Sequence, residues 1–93
     1  MRFEVIRRDN ITIVNDAYNA SPASMRAAIK TSAEIYDTRK IAVLGDMFEL
    51  GNIAEKAHRD IGAYLVKKGF EILITVGELA KFIAAGAWLK ANR

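Results

Sequence analysis

Short apolar strands alternate with amphipathic helices along almost the whole chain, and that alternation restricts the fold more than any other feature. Phe3-Glu4-Val5-Ile6 alternates and reads as a half-buried strand. Arg8-Asp9-Asn10 is a turn, because Asp and Asn supply local side-chain bonds and tolerate left-handed backbone. Ile11-Thr12-Ile13-Val14 is the return strand, so residues 3–14 predict an antiparallel hairpin. Ile41-Ala42-Val43-Leu44 and Ile72-Leu73-Ile74-Thr75-Val76 are apolar runs that predict strands covered on both faces.

The intervening segments carry helical periodicity. Ser21-Pro22 is a start signal, since Ser caps and Pro suits the first helical position. Met25, Ala28, Ile29, Ser32, Ile35 and Tyr36 then fall on one face. A second helix places Ala54, Ala57, His58, Ile61 and Leu65 inward and ends at Lys67-Lys68-Gly69, where late lysines and a glycine suit the helix dipole and a left-handed cap. Gly77-Glu78 is read as opening a third helix with Leu79, Phe82, Ile83 and Ala87 inward. The order β-β-α-β-α-β-α predicts an α/β fold: a three-layer, Rossmann-like, mostly parallel sheet with an N-terminal β-hairpin. Residues 1–93 read as a single domain. The chain ends on a helix where another strand is expected, so the domain is expected to be incomplete at its C-terminal end.

Composition narrows the class. Hydrophobic residues at 52% and charged residues at 27% fit a globular chain and exclude disorder. The absence of cysteine excludes a disulfide scaffold and a thiolate metal site, and is compatible with a reducing cytosol. The net charge of +3 is a weak bias. The pairs Arg7-Arg8, Arg39-Lys40 and Lys67-Lys68 lie at element ends, which is the pattern of a solvated surface and not of a nucleic-acid stripe. No apolar run reaches the length of a membrane span, and the N-terminus lacks a signal-peptide apolar region. A cytoplasmic protein with no nucleic-acid partner and no membrane insertion is expected.

The candidate site follows from topology. Asp16, Asp46 and Glu78 each come just after a predicted strand. In a parallel sheet those three loops share one edge, where open α/β sheets bind ligands. The run Asp16-Ala17-Tyr18-Asn19 offers acceptors and donors suited to ribose hydroxyls or a base edge. Gly45 and Gly77 let backbone approach a ligand closely, and the helix start at Pro22 turns amide donors to the same side. Each acid also reads as a turn or cap residue, Tyr18 as a rim aromatic, and Ser24 as a capping or ligand residue. His58 reads either as a bonded structural residue or as a ligand group. Met25 and Met47 read as packing, and Trp88 as apolar cover or exposed surface. The chain has no phosphate loop of the G-x-x-x-x-G-K-[ST] type, no complete dinucleotide fingerprint, no nucleophile elbow and no H-E-x-x-H. No catalytic machine is therefore complete in these residues.

The run D-A-Y-N-A-S-P-A-S-M at 16–25 resembles the C-terminal domain of the Mur ligases. I-A-V-L-G-D-M-F-E-L-G at 41–51, then His58 and Gly62, then I-T-V-G at 74–77 match in the family's order. The resemblance covers nearly the whole chain. Asn19, where ligases that add the third amino acid typically have His, and the G-D-M-x-E-L-G run place it with the branch that adds D-alanyl-D-alanine. The resemblance implies ATP-driven amide-bond formation. ATP phosphorylates the terminal carboxylate of UDP-N-acetylmuramoyl-tripeptide, and the amine of D-alanyl-D-alanine attacks the acyl phosphate. It implies ATP and Mg2+ as cofactors, with the metal and phosphate loop belonging mainly to a central domain that this chain lacks, as it lacks the family's N-terminal domain. It places Arg2, Asp16, Tyr18 and Asn19 on the nucleotide side, and Asp46, Glu49 and His58 toward D-alanyl-D-alanine. The isolated chain is then expected to be inactive. A stand-alone nucleotide-binding or receiver-like signalling module is the alternative. A receiver usually needs an acidic pair near the first strand and a lysine after the last, and neither is evident.

Overall fold

The computed structural model describes residues 3–16, 21–35 and 38–92, with the backbone alone described at Phe3 and Asp16. Arg2, Tyr18 and Asn19 lie outside the described residues. The element order is β1 (Phe3–Arg8), β2 (Ile11–Asp16), α1 (Pro22–Ala33), β3 (Arg39–Gly45), a 3-10 turn (Gly51–Ile53), α2 (Ala54–Lys67), β4 (Ile72–Val76) and α3 (Lys81–Ala91). The strands form one sheet in the order β1-β2-β3-β4. β1 and β2 pair antiparallel with Val5 opposite Val14, and Asp9 takes a positive φ of 52° in the turn between them. β2, β3 and β4 run parallel. The α/β class, the hairpin and the mostly parallel sheet are as the sequence predicts.

Local chemistry accounts for the helix ends. Ser21 caps α1 by accepting the Ser24 amide at 3.1 Å, and Pro22 follows as the first helical residue. Ser24 donates that amide, and its hydroxyl accepts from Ser21 Oγ at 2.9 Å, so the cap is Ser21. At the other end α1 stops at Ala33 because Glu34 and Ile35 bond back three residues, to Thr31 and Ser32, and tighten the last turn. α2 closes as expected. Gly69 takes φ +84°, its amide reaches the Val66 carbonyl, and the Phe70 amide reaches that of Leu65, which is the paired closure of a Schellman cap.

Both parallel crossovers step the same way across the sheet, so right-handed connections put their helices on one face. Ala42 and Leu44 of β3 turn to that face and pack with Met25 and Ile29 of α1, Ile61 and Leu65 of α2, and Ile83 of α3. Met47 is fully buried among them, as its reading as a packing residue expects. α3 does not cross to the far side. It lies along α2 at backbone contact: a Cβ on Gly62 would collide with the Ile83 carbonyl, and one on Gly86 with the Arg59 carbonyl.

The opposite sheet face carries no helix among the described residues. The register places Ile6, Ile13, Ile41, Val43, Ile74 and Val76 on it. Ile74 is 49% exposed and Val76 65%. The expectation that β3 and β4 are covered on both faces is therefore corrected: among the described residues each has helices on one side only, Ile41 and Val43 of β3 being half-buried and β4 lying at the sheet's edge. An apolar run signals affinity for cover without showing that cover is present. The third layer of the expected architecture is not among the described residues. Trp88, at 66% exposed, is surface.

Candidate functional site

The C-terminal ends of β2, β3 and β4 meet at one sheet edge. Asn15 lies beside Val43, and Gly45 beside Val76, so Asp16, Asp46 and Gly77 leave the sheet next to one another. Parallel pairing brings these loops together without help from local sequence.

The β3–α2 loop is the best-defined part of the edge. Asp46 Oδ1 accepts the backbone N–H of Ala80 at 2.6 Å, across 34 positions of sequence. That carboxylate occupies the space in front of Gly77, where an added Cβ would meet it, and Gly77 takes φ +125°. The open room expected for a ligand at Gly77 is filled by Asp46. α3 begins at Lys81 and not at Glu78: residues 77–80 form a turn, and the Ala80 amide at its end is held by Asp46. Glu78 is exposed, with Lys81 Nζ at 3.6 Å.

His58 is fully buried on the inner face of α2. The Met47 amide donates to His58 Nε2 at 2.9 Å, and His58 Nδ1 lies 2.6 Å from the Ala54 carbonyl oxygen. An amide only donates and a carbonyl only accepts, so Nδ1 carries the proton and Nε2 is bare. Both ring nitrogens are engaged inside the protein. Of the two readings left by the sequence, the geometry gives His58 the bonded structural one.

Beyond Met47 the loop turns outward. Phe48 is 54% exposed and Glu49 is exposed with φ +65°. A non-glycine residue in that region costs of order 1–3 kcal/mol and persists where the surroundings enforce it. Here Gly51, also at positive φ, follows two residues later. The structure thus brings Asp46, Met47, His58, Gly77 and Ala80 into one cluster and sets Glu49 at its rim. The sequence did not reveal the Asp46–Ala80 and Met47–His58 bonds. Backbone amides leave no sequence signal, and only the register shows that the two loops adjoin.

A shallow, mostly apolar hollow of about 250 Å³ lies between the start of α1 and α2, walled by Pro22, Ile53, Ala57 and Ile61 with Arg26, Lys56 and Asp60 at its rim. Among the described residues, none of the candidates lines it. Among the described residues no three His, Asp or Glu side chains gather as metal ligands. Among the described residues no helix is long and apolar enough to cross a membrane.

A mostly parallel α/β domain with its polar loops at one sheet edge is the class of ligand-binding half-site that this geometry defines. Residues 1–92 match the family model described as Mur ligase, glutamate ligase domain, and the chain belongs to that family. It is 48% identical over 90 residues to the UDP-N-acetylmuramoyl-tripeptide–D-alanyl-D-alanine ligase of Bacillus subtilis, covering 94% of this chain and 20% of that protein. The ligase of the same name from Mycobacterium tuberculosis H37Rv is 42% identical over 76 residues, covering 76% of this chain and 15% of that protein. The one from Escherichia coli K12 is 32% identical over 85 residues, covering 91% and 19%. The chain therefore spans about a fifth or less of the length of these relatives. No solved structure gives a significant match.

Proposed function

We propose that this chain is the C-terminal domain of an ATP-dependent ligase that joins D-alanyl-D-alanine to UDP-N-acetylmuramoyl-tripeptide in the cytoplasm. The observation that carries the reading is the 48% identity to a ligase of that name over almost the whole chain. Family membership also favours it over a stand-alone receiver-like module. The reaction needs the tripeptide carboxylate activated by ATP and the dipeptide amine held in line with it. Orienting reactants and excluding water are tasks a closing domain performs.

In this reading Arg2, Asp16, Tyr18 and Asn19 serve the nucleotide. Asp16 ends β2 at the ligand edge, and the resemblance assigns it to the ribose of the nucleotide. An arginine fork suits phosphate oxygens. Of the three residues that the resemblance puts toward D-alanyl-D-alanine, Glu49 is exposed at the loop, whereas Asp46 and His58 are bonded inside the protein and hold the loop that carries it. When bound, Mg2+ supplies charge neutralisation at the phosphates. Among the described residues no cluster of ligands for it forms, and the resemblance assigns the metal mainly to the central domain.

The test is a graft. Residues 1–92 replace the matching segment of the Bacillus subtilis ligase, and phosphate release is followed with and without D-alanyl-D-alanine. Dipeptide-dependent release is expected from the graft and none from the isolated chain. A folded graft that binds ATP but releases no phosphate in response to the dipeptide would overturn the reading.

A further inference from the structure

We propose that His58 is a positioning residue: it fixes the β3–α2 loop so that Glu49, and not Asp46 or His58, is the side chain offered to the amine-bearing end of the dipeptide. The inference rests on the ligase reading for the identity of that ligand.

Three observations converge on it. His58 is wholly buried and joins the first turn of α2, at the Ala54 carbonyl, to the Met47 amide in the loop. Asp46 is bound to the Ala80 amide and packed against Gly77, which ties the same loop to the β4–α3 turn. Met47 between them is itself fully buried. The loop is thus anchored on consecutive residues to two different elements. Past the anchors it bends outward, and Glu49 stands exposed in a backbone conformation that a free loop would avoid. The side chains that the resemblance groups together therefore divide the work. One carboxylate and the imidazole are committed to internal amides and a carbonyl, and one carboxylate is left facing solvent at the ligand edge. An exposed carboxylate on a fixed loop is a suitable acceptor for a dipeptide amine.

The experiment has two arms. In the first, the 93-residue chain is studied by NMR. Ring nitrogen signals should show His58 protonated at Nδ1 and bare at Nε2, and the Met47 amide should be protected from exchange. A ring protonated at Nε2 overturns the proposal whatever the activity. In the second arm, the grafted ligase carries His58→Leu, His58→Gln or Glu49→Gln. His58→Leu fills the space without either bond, and the KM for D-alanyl-D-alanine should rise at least tenfold while that for ATP stays within twofold. His58→Gln offers both an acceptor and a donor and should recover most of the loss. Glu49→Gln should raise the dipeptide KM about tenfold and leave the Met47 amide protected. An unchanged dipeptide KM in Glu49→Gln, or equal changes for both substrates in His58→Leu, overturns the proposal. If His58→Leu does not fold, His58→Asn, whose amide is too short to span both partners, is read in its place. An inactive graft with His58 and Glu49 intact counts against the ligase reading, while the NMR arm still judges the loop.

Discussion

The Asp46 carboxylate accepts a 2.6 Å bond from the Ala80 amide at a site that is partly buried. An acceptor at that position is what the geometry requires, and a negative charge is an addition. Asp46→Asn keeps an oxygen there and should cost less than about 1 kcal/mol, whereas Asp46→Ala strands a buried donor and should cost about 1–3 kcal/mol, measured by urea denaturation. The order of the two variants is the test, and equal losses would show that the bond matters little. Ser32 presents the opposite case. Its hydroxyl is buried on α1 and finds no partner among the described residues. Ser32→Ala should therefore leave stability unchanged or raise it by about 1 kcal/mol, read as the urea midpoint. A loss above 1 kcal/mol would reveal a bond that the structure does not show.

Helices α2 and α3 meet through a reciprocal pair of glycines, Gly62 against the Ile83 carbonyl and Gly86 against the Arg59 carbonyl. Alanine is the better helix former by about 1 kcal/mol, so an exposed glycine would gain from replacement. Here the added methyl meets backbone that has no rotamer to escape into. Gly62→Ala and Gly86→Ala should each lower stability by about 2 kcal/mol or more in thermal or urea melts. The pair should be non-additive, since one displacement of α3 relieves both clashes. Elements of this kind also separate what the sequence conveys from what it does not. The hairpin, the Ser21-Pro22 start and the Gly69 stop are set by residues within a few positions of each other, and all three are where the pattern puts them. The start of α3 is misread because residues 77–80 form a turn, held at Ala80 by a residue 34 positions away, that no local residue pattern marks. The far face of β4 is misread because apolar content records a preference for burial and not which neighbour provides it. In the candidate site, the shared edge of Asp16 and Asp46 follows from chain order. The two internal bonds that decide how Asp46 and His58 are used depend on the fold itself.

The sheet as a whole has one face under helices and one that carries Ile6, Ile72, Ile74 and Val76 in the open. Contiguous apolar surface of this kind binds apolar dyes and favours self-association. The 93-residue chain should enhance the fluorescence of such a dye in its folded state, and Ile74→Lys should reduce the signal while changing stability by less than about 0.5 kcal/mol, as expected for a surface substitution. A dye signal that Ile74→Lys does not alter would place the apolar surface elsewhere. The antiparallel hairpin has a further mechanical meaning. Because β1 runs opposite to β2, Phe3 lies beside Asp16, at the edge where the parallel strands end. Any polypeptide joined ahead of Phe3 would therefore tether the domain next to its own ligand loops. With strands about 4.8 Å apart, the β4 end of that edge is roughly 14 Å from the pivot. A swing of 30° about such a tether would carry the loop after β4 through roughly 7 Å and the nearer loops through less by the same spacing, a short lever that trades reach for accuracy of placement.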